Sequence, residues 1–83
     1  MIYQRQYKFE VGDLVDYYTE MGVVVDSGHD TLESMSKAYG ARTRFSYYIR
    51  VKHPGQPTLH KIFEGTAMWD GIKLLAQGRR NEK

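Results

Sequence analysis

The 83-residue chain contains no cysteine. That absence excludes disulfide bridges, thiolate nucleophiles and the common cysteine-bearing zinc sites together. There are only two prolines, and no run approaches the roughly 18 apolar residues needed to cross a membrane as a helix. The opening residues, MIYQRQYKFE, hold no apolar stretch of the kind a secretion signal carries. The expectation is therefore no membrane association and a cytoplasmic location. Charge of one sign is also missing over long stretches. Between Phe9 and Ser36 the acids are Glu10, Asp13, Asp16, Glu20, Asp26, Asp30 and Glu33, with no Lys or Arg. Between Lys37 and Lys61 the bases are Lys37, Arg42, Arg44, Arg50, Lys52 and Lys61, with no acid.

The net charge of +2 resides in residues 77–83, where Arg79, Arg80 and Lys83 stand against Glu82. Residues 1–76 are neutral overall and bipolar along their length. They read as one small domain, and 77–83 as a basic tail expected to be disordered. Hydrophobic residues make up 41% and charged residues 27%, which fits a globular chain rather than a disordered one. A domain this short buries only about 60–65% of the surface its unfolded chain exposes. Without disulfide or metal staples, such domains often complete their burial against a partner or another copy.

The clearest element runs from Thr43 to Lys52. There Phe45, Tyr47, Ile49 and Val51 alternate with Ser46, Tyr48, Arg50 and Lys52, the period of a half-buried strand. It stops at His53-Pro54-Gly55-Gln56-Pro57, which suits a type II turn because proline presets φ and glycine accepts a positive one. Thr58 to Glu64 should return as the hairpin partner, and Gly65 ends it. Upstream, Glu10 to Val15 leads into a strand. Met21 to Asp26 (MGVVVD) is a nearly continuous apolar run that predicts a buried strand. Tyr3 to Phe9 alternates loosely, as an added edge strand would. Ile72 to Leu75 reads as a short closing strand after a tight turn around Met68-Trp69-Asp70-Gly71. Between Ser27 and Gly40 the spacing predicts two turns of helix. Asp30 and Glu33 form a capping-box pattern, Leu32, Met35 and Tyr39 fall on one helical face, and Gly40 stands at the stop. A long irregular loop is the alternative for that stretch.

The order Val-Gly-Asp-Leu-Val, Met-Gly-Val-Val-Val, two hairpin strands, a one-turn bend and a last short strand resembles the SH3-like small barrels of the KOW and Tudor type. The residues that carry the resemblance are Gly12 to Val15, Gly22 to Val25, and the turn near Trp69 followed by Ile72 to Leu75. It implies a mainly β fold, a small barrel of about five antiparallel strands, with one short helix or long loop inserted near residues 30–40. Similar barrels occur among bacteriophage accessory and structural proteins, which implies a host-cytoplasm or virion setting.

Several constellations suggest chemistry. Val23-Val24-Val25-Asp26-Ser27-Gly28 looks like the catalytic loop of retroviral-type aspartic proteases, in which two aspartates share one proton. The glycine-rich flap is missing, however, and Trp69-Asp70-Gly71 places an acid where an apolar residue belongs. His29, His53 and His60 have no acid at ligand spacing and read as exposed structural histidines, so no metal or other cofactor is expected. No glycine-rich phosphate loop follows a strand. Tyr48, Arg50 and Lys52 on one strand face, with Arg42, Arg44 and the tail Arg79 and Arg80, make a pattern that tracks phosphates while aromatics stack bases. The adjacent acidic block weighs against general polyanion affinity. Tyr17 and Tyr18 sit after the first strand and Trp69 before the last, and in SH3-like barrels these neighbourhoods line a ligand groove. Trp69 serves equally well as a core plug. The expected function is a non-enzymatic protein-binding or assembly module, with a protein partner or self-association through Tyr17, Tyr18, Tyr48, Arg50, Lys52 and Trp69. Nucleic-acid binding is the alternative, and the protease comes third.

Overall fold

The structure, a computed structural model, describes residues 5–36 and 40–78, with side chains for 5–32 and 43–78. Five strands form one antiparallel sheet: β1 (Leu14–Tyr17), β2 (Glu20–Ser36), β3 (Gly40–Lys52), β4 (Leu59–Phe63) and β5 (Lys73–Ala76). A one-turn helix, α1 (Ala67–Asp70), stands between β4 and β5. The strand order is β4-β3-β2-β1-β5. The mainly β, five-stranded antiparallel reading is thus the observed fold.

Alternation decides the two faces. Tyr47, Ile49 and Val51 of β3 are buried together with Val15, Tyr17, Val24, Ile62, Phe9, Trp69 and Ile72. Tyr48, Arg50 and Lys52 point to the opposite, outer face, because successive strand residues alternate sides. Phe45 shares the parity of the buried set yet is 72% exposed, because it lies beyond the body. The β1 ladder on β2 spans Glu20 to Val23, and the β4 ladder on β3 spans Tyr48 to Lys52. The β2–β3 hairpin continues past both, from His29↔Tyr47 to Ser36↔Gly40, as a two-stranded arm. This accounts for the elongated extents of 50 × 32 × 20 Å.

The turn chemistry follows the residues. Gly55 adopts φ 77 and the Gln56 amide donates to the His53 carbonyl at 3.2 Å, the type II turn that Pro54-Gly55 predicts. Thr66 caps α1 by accepting from the Trp69 amide.

Four expectations need correction. The stretch 27–36 is neither helix nor loop but strand. Each of its residues pairs with a β-branched- and aromatic-rich segment of β3, and a full ladder outweighs a local helical spacing. Asp30, expected as a helix cap, instead accepts from the Thr31 amide and the Lys61 ammonium, both at 2.7 Å. The rest of that expectation, residues 37–39, lies outside the described residues.

Residues 5–9 form no edge strand. The Gln6 and Tyr7 amides donate to the Glu10 carboxylate rather than to a ladder, and Tyr7 stacks on Tyr47 at 3.8 Å; residues 3 and 4 lie outside. The MGVVVD run is buried on one face only, since Gly22 and Val24 are inside and Met21, Val23 and Val25 are exposed.

The barrel-like sheet is not closed. Among the described residues no ladder joins β4 to β5; α1 comes between them in the chain and sends Trp69, followed by Ile72, into the core. Near the end of the described chain, residues 77 and 78 run on past β5. The Gly78 amide donates to Asp13 at 2.8 Å, and the rest of the expected tail, 79–83, lies outside the described residues.

That last contact belongs to a knot around a fully buried carboxylate. Asp13 accepts from both terminal nitrogens of the Arg5 guanidinium and from the Glu10 and Gly78 amides. Burial alone pushes the Asp13 carboxyl up, but the Arg5 and backbone donors outweigh it and hold it below the usual carboxylate value. Gly12, at φ 97, lets the chain turn here, with its amide on the Val24 carbonyl at 2.8 Å.

Candidate functional site

β1 and β2 are joined by a two-residue hairpin loop, Tyr18-Thr19, between the paired Tyr17 and Glu20. Tight hairpins of this length want positive φ at both loop residues, which Asn-Gly supplies at little steric cost. Here Tyr18 stands at φ 55 and the β-branched Thr19 at φ 60. A non-glycine residue in such a region costs on the order of 1–3 kcal/mol. The result is a tyrosine, 66% exposed, projecting from a strained turn. Its ring lies 4.5 Å from that of the buried Tyr17.

The two tyrosines divide a pair of clefts. One, of about 170 Å³, is lined by Tyr17, Tyr18, Ala67, Met68 and Gly71. The other, of about 140 Å³, is lined by Tyr17, Tyr18, Glu20, His53, Gln56 and His60. The first is mostly apolar. The second is walled by rings: His53 stacks on Tyr17 at 5.9 Å, His60 lies 5.5 Å from Tyr17, and the two imidazoles are 5.2 Å apart. Glu20 carries the only full charge among these linings, and the Gln56 amide donates to it at 3.2 Å.

The Met21 carbonyl, 3.0 Å from His53 Nδ1, can only accept, so Nδ1 carries a proton. Burial, and then the neighbouring Tyr18, raise the Tyr17 phenol above its ordinary value, so it stays protonated at neutral pH. Among the described residues no group of three His, Cys, Asp or Glu side chains is placed to hold a metal.

The six residues singled out in the sequence fall on opposite sides of the molecule. Tyr17 and Tyr18 form the ridge between the clefts. Trp69 is buried against Phe9 and Tyr47 and acts as the core plug, while its helix lends Ala67 and Met68 to the apolar cleft. Tyr48, Arg50 and Lys52 lie on the outer face.

That face is internally compensated. Arg50 pairs with Asp26 at 3.4 Å and Lys61 with Asp30 at 2.7 Å. Lys61 also sits over the Tyr48 ring at 4.4 Å, Lys52 donates to the Gln56 carbonyl and Arg44 to the Glu64 carbonyl. Asp26-Ser27-Gly28 lies in the middle of β2 rather than in a loop, so the fold gives no support to the protease reading.

The sequence reading missed Glu20, Gln56, Met68 and the histidine pair. His53 is buried and His60 half-buried, a correction to the exposed histidines expected. A signal for the pair was present: the Pro54-Gly55 turn sets Val51 opposite His60, and His53, two residues past Val51, returns to the same face.

No family model, curated protein or solved structure matches the chain.

Proposed function

We propose that the chain is a non-enzymatic protein-binding module that receives an extended segment of a partner protein across the Tyr18 turn. The observation that carries this reading is the turn itself, an exposed tyrosine held in left-handed backbone between two clefts of different character. Strain of this kind collects at ligand-binding positions, and tyrosine is a common anchor at protein interfaces. The apolar cleft beside Met68 suits an aliphatic or aromatic side chain. The polar cleft offers ring faces and the Glu20 carboxylate, with no Lys or Arg in its lining, and suits a basic one. A cation over such rings contributes about 0.5–2 kcal/mol.

The finer SH3-like reading of the fold is supported by the strand order β4-β3-β2-β1-β5, by the one-turn helix before the last strand, and by the aromatic turn after the first. The bacteriophage accessory or virion setting rests on that resemblance alone. Nucleic-acid binding is the weaker reading, because Asp26 and Asp30 already compensate Arg50 and Lys61. No membrane-spanning helix is found among the described residues.

A displayed random-peptide library, selected on the wild-type chain and counter-selected on Tyr18→Ala, tests the proposal. The expected binders combine an apolar residue with a nearby Lys or Arg and shift the NMR signals of Tyr17, Tyr18, Met68 and His60. Failure to enrich any peptide over the Tyr18→Ala chain, or shifts confined to Tyr48 and Arg50, would overturn it.

A further inference from the structure

The outer face of the sheet carries apolar residues where a one-sided antiparallel sheet places polar ones. Met21 is 52% exposed, Val23 39%, Val25 41%, Leu59 40% and Leu75 51%. Register makes them neighbours. Val23 pairs with Leu14 on one side and with Lys52 on the other, and Lys52 pairs with Leu59. Leu75 is the extra residue of the β1–β5 irregularity beside Leu14, and Val25 the extra residue between Val24 and Asp26. The same β2 segment reads in sequence as a continuous apolar run, the pattern of a strand covered on both faces. One face is covered by the core; among the described residues nothing covers the other.

Two charged groups beside this strip suggest what covers it. Asp16 lies on the β1 side, paired in register with Met21 on β2 and with Lys73 on β5, to which it forms no ion pair, and among the described residues its Oδ1 is buried with no hydrogen-bond partner. Such an atom is costly unless something compensates it. Lys52 lies on the β3 side, and its ammonium reaches the neutral Gln56 carbonyl. A two-fold axis running along β2 between two facing sheets lays the β1 side of one copy over the β3 side of the other. Each Asp16, level with Met21, then lies about 7 Å along the strand from a Lys52 level with Val23, an offset the long lysine side chain can span, twice, while the apolar strips meet in the middle. The surface is complementary to itself, and an isologous contact of this kind closes after two copies.

We propose that two copies of this chain associate through the outer faces of their sheets, with Val23 near the centre and reciprocal Asp16–Lys52 pairs at the sides. The arrangement leaves the Tyr18 turn free, so it stands or falls separately from the peptide-binding reading.

Sedimentation equilibrium on the full chain tests it. The wild type is expected to be a monomer–dimer system. Val23→Glu should weaken dimerisation by about a hundredfold, since a charge at the centre of the interface must be stripped of water, while the melting temperature of the monomer stays unchanged. Asp16→Lys and Lys52→Asp should each weaken it by about tenfold, and both together in one chain should restore it. Phe45→Ser, on the arm, should leave the mass unchanged, and Val23→Glu should still bind peptides selected at the Tyr18 turn. The proposal is overturned by a wild type that stays monomeric at millimolar concentration. It is equally overturned by a dimer indifferent to Val23→Glu, by one that Phe45→Ser dissociates, or by a charge swap that restores nothing.

Discussion

Replacing Asp13 by Asn keeps the shape of the buried side chain and removes one acceptor, which makes its effect calculable from the hydrogen bonds. Oδ1 accepts from Arg5 Nη1 at 3.2 Å and from the Gly78 amide at 2.8 Å. Oδ2 accepts from Arg5 Nη2 and from the Glu10 amide at 2.9 Å. Whichever oxygen becomes the NH2 group, two donors then face a donor. The Arg5 guanidinium also loses the Asp13 charge. Leaving a buried donor unsatisfied costs about 1–3 kcal/mol, and breaking a buried ion pair about 3–5 kcal/mol in total. An expected loss of about 3–4 kcal/mol is a large share of the 5–15 kcal/mol typical of a folded domain. At about 4–8 °C per kcal/mol for a chain of this size, melting should fall by roughly 15–25 °C at pH 7.

The pH dependence gives a second reading of the same group. Against its burial, the Arg5 guanidinium and the backbone donors hold the Asp13 carboxyl below the ordinary carboxylate value. Its contribution is therefore fully present above the unfolded value and is lost as pH falls through the lower, folded one. The melting gap between wild type and Asp13→Asn should be constant from about pH 5 upward and should narrow as pH falls below about 4. Thermal melts followed by circular dichroism across that range measure both effects. A variant melting within about 3 °C of wild type at pH 7, or a gap that acid leaves unchanged, would refute the knot as described.

Two other substitutions probe the same parts of the fold. Gly78→Ala would place a Cβ 2.6 Å from the Gly12 carbonyl carbon and 2.9 Å from its Cα, a clash with backbone that should cost about 1–3 kcal/mol; an unchanged denaturation midpoint would show that Gly78 does not seat there. Replacing Tyr18-Thr19 by Asn-Gly should raise stability by about 1–3 kcal/mol in urea at constant m-value, while abolishing peptide binding at the turn. A midpoint that does not rise would mean the turn is not strained.

Legibility from sequence followed the range of the interactions involved. The β3 alternation, the Pro54-Gly55 turn and the bend before Ile72 are local signals, and each appears where the residues put it. The arm was not legible because its evidence is pairwise. The Asp30, Leu32 and Met35 spacing suits a helix in isolation, and only the thirteen-residue β3 opposite makes a strand the better use of the same residues. Tyr17 and Tyr18 could be singled out because an aromatic pair after a strand is visible in one dimension. Glu20, Gln56 and Met68 could not, because the Tyr18 turn, the β3–β4 turn and α1 bring them together only in the folded chain. The Asp13 knot joins positions 5, 10, 13 and 78, a closure no local pattern announces.

The segregated charges change meaning once β2 and β3 are paired. Read along the chain, an acidic half and a basic half suggest two poles waiting for a partner. Paired antiparallel, they face each other: Asp26 meets Arg50 at 3.4 Å, and Asp30 meets Lys61 of the next strand at 2.7 Å. The Lys61 ammonium also holds the exposed Asp30 carboxyl below its ordinary value. Exposed pairs of this kind add little stability, but like charges directly opposite are unfavourable, so segregation favours β2 pairing with β3 over either strand pairing with a copy of itself. The same pairing takes Arg50 and Lys61 out of the basic stripe and leaves Lys52 and Arg44 on neutral carbonyls. The parts its charges do not use, the outer apolar strip and the two clefts beside Tyr18, of which one holds the Glu20 carboxylate, are the surfaces on which the proposed peptide binding and pairing of copies rest.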